Sequence, residues 1–256
     1  MLLTRIEERM PTGTLQIKQI SGHSGPAPGT GVQREEDVCK YIDVTTCIGC
    51  KACEVACVEW NDMPFQQTQF DNTYQTMPST AWNYWNLIKF NEHPQDNGAF
   101  MWLMRKDQCM HCEDPGCLRA CPADGAIVQY TNGIVDFQQE NCIGCQYCVS
   151  GCPFDIPKFN SETKKVYKCT LCSDRVGQGL EPACIKACPT GCLKFGTKAD
   201  MHLLVRDGGE EGSAHRGGRF EQLAPRYPDL AVIHLSAMTQ RGIYFPRLMF
   251  QEQLLG

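Results

Sequence analysis

The chain lacks a long apolar run. In its C-terminal tail the longest uncharged stretch, Leu230 to Gln240, has 11 residues, against the roughly 20 needed to cross a bilayer, so no transmembrane helix is expected. Its first 36 residues hold no positive cluster followed by an apolar stretch, and neither a secretory nor a twin-arginine signal is legible there. Positive charge is not in surplus either: 24 Lys and Arg stand against 29 Asp and Glu, a formal net charge of -5. With no basic block, a nucleic-acid partner is not expected. A glycine-rich phosphate loop and a nucleophile elbow are both missing, which argues against nucleotide chemistry and serine-type hydrolysis.

Cysteine is what the chain has: 18 in 256 residues. Sixteen fall into four groups of four. Cys47-x2-Cys50-x2-Cys53-x3-Cys57 and Cys142-x2-Cys145-x2-Cys148-x3-Cys152-Pro153 have the spacing of bacterial ferredoxins. Cys109-x2-Cys112-x4-Cys117-x3-Cys121-Pro122 stretches one gap, and Cys169-x2-Cys172-x11-Cys184-x3-Cys188-Pro189 stretches it further. In such loops three thiolates hold three irons of a 4Fe-4S cube, and the fourth cysteine, read here as starting a helix, reaches a second cube. A disulfide framework belongs to small secreted domains. Structural zinc would need only two C-x2-C pairs per site and would leave the closing C-x3-C without a purpose. The chain reads as a carrier of electrons on four 4Fe-4S clusters, with no substrate chemistry of its own.

The pairing of groups follows from sequence distance. Only Pro122 to Asn141 separates the second and third groups, a short hairpin connection, so these two form one two-cluster module and the first and fourth pair across it. The usual exchange then gives four ligand sets: Cys47, Cys50, Cys53 with Cys188; Cys169, Cys172, Cys184 with Cys57; Cys109, Cys112, Cys117 with Cys152; and Cys142, Cys145, Cys148 with Cys121. Cys39 and Cys192 are left over and read as small buried hydrophobes. Each cube with four thiolates adds about -2 of charge, so nearby cations matter. Lys51, Lys106, Arg119, Lys168, Arg175 and Lys186 lie close to ligand cysteines in sequence. His93 and His111 are not needed as ligands, because every cube already has four sulfurs.

The fold class expected is α+β, loop-rich, with two ferredoxin-like modules, one inserted in the other, and long terminal arms. Residues 1–37 form an N-terminal arm without sustained period apart from a brief alternation at Leu15 to Ile20. Residues 38–108 are the first half of the outer module, and 109–160 are the inserted module. Residues 161–205 are the second half of the outer module, and 206–256 are a divergent tail. Lys40 to Asp43 and Val166 to Lys168 read as strands entering cysteine loops, Lys51 to Trp60 as the helix leaving the first, and Leu193 to Gly196 as a strand leaving the last. Ala126 to Tyr130 and Ile134 to Phe137 flank Asn132-Gly133, which predicts a hairpin with a type I′ turn. The prolines at 122, 153 and 189 stop helices. Thr197-x2-Asp200 resembles a capping signal for a short helix. The insertion Glu59 to Gln108 holds all four tryptophans; its segments Trp85 to Phe90 and Ala99 to Arg105 read as a hairpin that extends the core, and the alternative is a docking surface for another subunit.

The segments TCIGCKACEVACVEWND (46–62), RKDQCMHCEDPGCLRACPADGAIVQYTNGIVDF (105–137), ENCIGCQYCVSGCPFDIPKFN (140–160) and VYKCTLCSDRVGQGLEPACIKACPTG (166–191) closely resemble the iron-sulfur (beta) subunit of respiratory formate dehydrogenases. The resemblance covers about 40–205. It implies a formate-oxidising alpha subunit with a molybdenum or tungsten bis-pterin site as partner, and a cytochrome b (gamma) subunit and quinone as acceptors. It also implies a place on the periplasmic side of the inner membrane, reached by co-export with the alpha subunit; the alternative is cytoplasmic. The quartets alone also fit iron-sulfur subunits of other molybdopterin reductases or of hydrogenases. Membrane-bound relatives continue into a spanning helix, whereas here the sequence diverges after about Val205, as a soluble variant or a disrupted reading frame would.

Overall fold

The computed structural model describes residues 15–22, 37–43, 46–65, 74–75, 77–94 and 100–201. The tail at 206–256 and most of the N-terminal arm lie outside them. The elements are β1 (Ile17–Ile20), β2 (Val38–Ile42), α1 (Ala52–Trp60), β3 (Asn86–Pro94), β4 (Phe100–Gln108), α2 (Gly116–Ala120), β5 (Ile127–Tyr130), β6 (Val135–Phe137), α3 (Tyr147–Ser150), β7 (Lys158–Asn160), β8 (Lys165–Tyr167), α4 (Ser173–Val176), α5 (Ala183–Lys186) and β9 (Leu193–Thr197). They form one three-stranded sheet, β1-β5-β6, and three two-stranded sheets, β2-β9, β3-β4 and β7-β8, all antiparallel. Small sheets among short helices agree with the α+β expectation. Among the described residues no helix is long and apolar enough to cross a membrane.

Helices of four or five residues do not persist alone; of the short ones here, α2, α3 and α5 each carry a cysteine, and α4 directly follows Cys172. The third cysteine of every group is the second residue of a helix: Cys53 in α1, Cys117 in α2, Cys148 in α3 and Cys184 in α5. The expectation that the fourth cysteine starts a helix is not met. That cysteine follows one, at Cys121, Cys152 and Cys188, and lies inside α1 at Cys57. The three that follow a helix are the ones trailed by Pro122, Pro153 and Pro189, and proline has no N–H to continue the ladder. Val58 follows Cys57, and α1 runs on to Trp60.

Two pairs of these helices pack together, α1 with α5 and α2 with α3. The second contact is backbone against backbone. A Cβ on Gly116 would overlap the carbonyl oxygen of Gly151, and one on Gly151 would lie 2.7 Å from Ala120 Cβ and 2.8 Å from Gly116 O. Glycine at both positions is what lets the two helices approach. Around the first pair, Val38, Ile42, Ile88, Leu171, Ile185, Leu193 and Phe195 form the largest apolar cluster. Around the second, Leu118, Ile127, Val135, Phe137 and Val166 form another.

Strands β2 and β9 pair from Val38↔Thr197 to Ile42↔Leu193, tying the entrance of the first cysteine loop to the exit of the fourth. Beyond β9, Thr197 Oγ1 accepts a 3.1 Å bond from Asp200 N at the start of a helix at 198–201, the capping contact read from the sequence. The arm contributes β1 and, just after it, Ser21, whose Oγ accepts from Ile127 N at 3.0 Å.

The hairpin β5-β6 has the expected strands but not the expected turn. Gly133 has φ 89°, while Asn132 is not among the positive-φ residues, so a type I′ turn is not formed. Gly133 N bonds to Tyr130 O at 3.0 Å and Tyr130 N to Ile134 O at 2.8 Å, which is a three-residue loop with a left-handed glycine closing it. The buried Asn132 uses its side chain instead, its Oδ1 accepting from Ile134 N at 3.2 Å.

The aromatic insertion is mostly core. Leu87 and Ile88 of β3 are buried, Trp85 packs against Cys109, Ile156 and Cys169, and Trp102 meets Tyr74 edge-on and Phe90 at a tilt. Trp60, Phe65 and Tyr74 are exposed; Trp60 Nε1 donates to Asp174 Oδ2 at 2.9 Å, and the Arg175 guanidinium lies 4.2 Å above its ring.

Candidate metal centres

All four C-x2-C turns share one backbone device. The residue before the second cysteine has positive φ in each: Gly49 at 64°, His111 at 51°, Gly144 at 72° and Leu171 at 55°. A left-handed residue there turns successive amides toward the enclosed space, a nest suited to anions. At His111 and Leu171, which carry side chains, this costs about 1–2 kcal/mol each. His111 is held by its surroundings: it is 3% exposed and its Nδ1 accepts from Val135 N at 3.2 Å.

The helix pairs bring the groups together. Cys109, Cys112 and Cys117 line one cavity with Cys152, which arrives at the end of α3; its empty volume is about 380 Å³, open water at the mouth included. Cys47, Cys50 and Cys53 line a second, of about 370 Å³, with Cys188 from the end of α5. Cys148 faces Cys121, Cys142 and Cys145, and Cys57 faces Cys169, Cys172 and Cys184. Among the described residues no three of these side chains stand close enough to hold a single metal ion; the sulfurs ring a space instead. The two spare cysteines differ. Cys39 is fully buried in β2. Cys192 is buried in the first apolar cluster, as the sequence suggested, and also lines the second cavity with its Sγ 3.5 Å from Cys188 Sγ.

Burial pushes the thiols of Cys112, Cys117, Cys148 and Cys172 up to about 12, and neighbouring thiolates of the same site add to the rise. Cys47 moves the other way, because the Cys192 thiol donates to it. Sulfur also receives backbone and amide donors, Leu171 N to Cys169 Sγ at 3.4 Å and Asn61 Nδ2 to Cys57 Sγ at 3.6 Å.

Three lysines are buried among these sulfurs: Lys40 at 2%, Lys106 at 3% and Lys168 at 2% exposure. Lys106 Nζ donates to Asn86 Oδ1 at 2.5 Å, Lys168 Nζ to Val135 O at 2.5 Å and Cys169 O at 2.8 Å, and Lys40 Nζ to Cys109 O. Burial disfavours their charge, but at Lys106 and Lys168 the facing thiolates outweigh it and raise the pKa. Of the cations read from sequence, Lys106 and Lys168 are therefore inside. Lys186 and Arg119 are at the surface, the latter paired with Asp114 at 2.5 Å. Lys51 lies over Phe90, 5.3 Å from its centroid. Lys40 was not anticipated, though a lysine in the apolar strand Val-Cys-Lys-Tyr-Ile is itself a signal.

A polynuclear anionic centre fits this donor set. Four sulfurs at each site, repelling one another as thiolates, gain from iron between them. The ammoniums supply the opposing charge. His111 Nε2, buried beside the Cys109 cavity, has no hydrogen-bond partner among the described residues, and a bound inorganic sulfide would accept from it. The His93 side chain lies outside the described ones.

Comparison with known proteins agrees with this geometry. A family model described as a 4Fe-4S dicluster domain matches residues 100–198, and a second with the same description matches 46–126. The chain is 55% identical over 189 residues to the nitrate-inducible formate dehydrogenase iron-sulfur subunit of Escherichia coli (strain K12), covering 74% of this chain and 64% of that one. It is 58% identical over 173 residues to the formate dehydrogenase-O iron-sulfur subunit of the same organism, covering 68% and 57%. To formate dehydrogenase 2 subunit beta (cytochrome c-553) of Nitratidesulfovibrio vulgaris it is 31% identical over 211 residues, covering 79% and 94%. The chain thus spans about 57–64% of the length of the two Escherichia coli relatives.

Proposed function

We propose, because the chain belongs to the family of formate dehydrogenase iron-sulfur subunits, that it relays electrons from a formate-oxidising molybdenum or tungsten subunit toward a cytochrome b and quinone, and performs no substrate chemistry. Its cofactors are four 4Fe-4S clusters, which take up and release one electron each. The ligand sets are Cys47, Cys50, Cys53, Cys188; Cys57, Cys169, Cys172, Cys184; Cys109, Cys112, Cys117, Cys152; and Cys121, Cys142, Cys145, Cys148. The observation that carries this reading is that every fourth cysteine faces the three loop cysteines of its partner group, through the paired helices α1–α5 and α2–α3. The protein's own part is to hold the sulfurs apart at cluster distance, exclude water with the two apolar clusters, and supply positive charge through Lys40, Lys106 and Lys168.

The same pairing supports a nested arrangement, with 109–160 as the inner module and 38–108 plus 161–205 as the outer one, closed by the β2–β9 ladder. The two family matches overlap at 100–126 and do not follow these boundaries. The resemblance further supports a location on the periplasmic side of the inner membrane beside the large subunit.

The test is anaerobic purification of the chain, alone and with its large subunit. About 16 iron atoms per chain are expected, four for each cube. Alone it should not reduce a viologen dye with formate; with the large subunit, formate should bleach the cluster absorption. Stoichiometric zinc would sink the cofactor reading. A large subunit that acts on another oxyanion or sulfur substrate and ignores formate would sink the named complex and leave the relay.

A further inference from the structure

The cavity lined by Cys47, Cys50, Cys53 and Cys188 carries a fifth sulfur, that of Cys192. A cube takes four thiolates, so one is surplus. Cys188 Sγ and Cys192 Sγ are 3.5 Å apart, and among the described residues no three such groups stand close enough to hold a single metal ion. The close contact is therefore between two sulfurs and no more. A disulfide needs about 2.05 Å, a closure of about 1.5 Å from this distance.

The chain between the two cysteines is built to allow that movement. Cys192 is the anchored end: its carbonyl accepts from Asp43 N at 2.8 Å, and the next residue, Leu193, pairs with Ile42 in the β2–β9 ladder. Cys188 leaves α5, its N donating to Ile185 O at 3.0 Å. Between them Pro189, Thr190 and Gly191 form an exposed turn closed by Gly191 N on Cys188 O at 3.3 Å. Gly191 has φ 64° and nothing lies within 4 Å of where its Cβ would stand, so the turn can tighten without meeting a neighbour. The two sulfurs also differ in access. Cys188 is half-buried and Cys192 is 5% exposed, the arrangement of a thiol that is attacked first and a sheltered one that resolves it.

We propose that Cys188 and Cys192 form a reversible disulfide when the Cys47 site holds no iron, with a peroxide as the oxidant. Cys188 sulfur attacks the peroxide; an S–O bond forms, the O–O bond breaks, and the thiol proton leaves with the departing oxygen as water. Cys192 sulfur then attacks the Cys188 sulfenic acid, forming the S–S bond and expelling its hydroxyl, which takes the Cys192 proton as a second water. The pair gives up two electrons and two protons, which the peroxide receives. A dithiol reverses the change. The consequence rests on the reading that Cys188 is the fourth ligand of the Cys47 cube: the bridge withholds that ligand, and it also stops Cys188 short of sulfinic acid, which a dithiol does not reverse.

The test uses the full-length chain, stripped of iron anaerobically, treated with limiting hydrogen peroxide, alkylated and digested with trypsin. Residues 187–194 lie between Lys186 and Lys194 and hold Cys188 and Cys192 together on one peptide. That peptide should lose both alkylation sites and become two hydrogens lighter before any other thiols bridge. Reconstitution of the treated protein should stop at about 12 iron atoms and return to about 16 after a dithiol. In Cys192→Ser the untreated chain should load fully, but after peroxide Cys188 should gain two oxygens and iron should stay at about 12 even with the dithiol. Should the variant fail to fold, the peptide map of the unaltered chain still decides. Cys188 and Cys192 both alkylated while bridges accumulate elsewhere, or Cys192→Ser recovering as fully as the unaltered chain, overturns the proposal. A bridge formed at 187–194 in a chain that never takes up four cubes supports the thiol pair and overturns the cluster reading instead.

Discussion

Gly151→Ala places one methyl group between α2 and α3, at no cysteine. Gly151 has φ -76° and ψ -7°, a conformation alanine adopts freely, and on backbone entropy alone the change would stabilise by about 0.4–1 kcal/mol. The new Cβ, however, would lie 2.7 Å from Ala120 Cβ, 2.8 Å from Gly116 O and 3.2 Å from Tyr147 O, against about 3.5–4.0 Å for ordinary carbon contacts. No flexible side chain is there to yield, so the helices must part by roughly 1 Å, and overpacking of this kind costs about 1–3 kcal/mol. The steric loss exceeds the entropic gain. Because Cys148 and Cys152 flank this glycine and face different sites, both cubes of the pair should suffer together. Iron content should fall from about 16 toward about 8 per chain, with the EPR signals of the α1–α5 pair retained. Full iron content and an unchanged melting temperature would refute the close-approach argument, and loss of a single cube would refute the shared dependence.

Cys57→Ala should deplete the cube of Cys169, Cys172 and Cys184 and spare that of Cys47, Cys50 and Cys53; the reverse, seen by iron analysis and EPR, would contradict the exchange of ligands through α1 and α5. Cys39→Ala and Cys192→Ala together should leave iron content unchanged, and a lost signal would show that one of them is a ligand. Cys112, Cys117, Cys148 and Cys172, pushed up to about 12, carry protons in the empty protein near neutrality and must release them when iron binds. Reconstitution in weak buffer at pH 8 should acidify the solution and proceed further as pH rises toward 9; uptake indifferent to pH would refute this.

The sixteen cysteines and their grouping were legible because loop spacing is local information. So was the reach of α1 past Cys57 to Trp60, since a valine rather than a proline follows that cysteine. What was not legible depends on distant parts of the chain. Nothing in Cys109-Met110-His111-Cys112 announces a left-handed backbone at His111, where Gly49 and Gly144 mark the same position openly in the other loops. The condition that holds His111 is a hydrogen bond from Val135. Lys40 was passed over for the same reason: it points inward only because strand β9, from the far side of the sequence, pairs with β2 and carries it against the carbonyl of Cys109. The Asn132-Gly133 turn was recognised by composition, but its type was decided by the burial of Asn132.

The ladder between β2 and β9 has a consequence for biosynthesis. Translation proceeds at about 5–20 residues per second, so Cys47, Cys50 and Cys53 emerge on the order of ten seconds before Cys188 exists to face them. The pair built on α2 and α3 is complete once Cys152 has emerged, while the other pair waits with open thiols and an unpaired β2 edge. Long-range closure of this kind is slow even for a finished chain. Nascent protein would therefore be most vulnerable to oxidation and to the wrong metal at its first cysteine loop, and cofactor delivery has to run from the middle of the sequence outward.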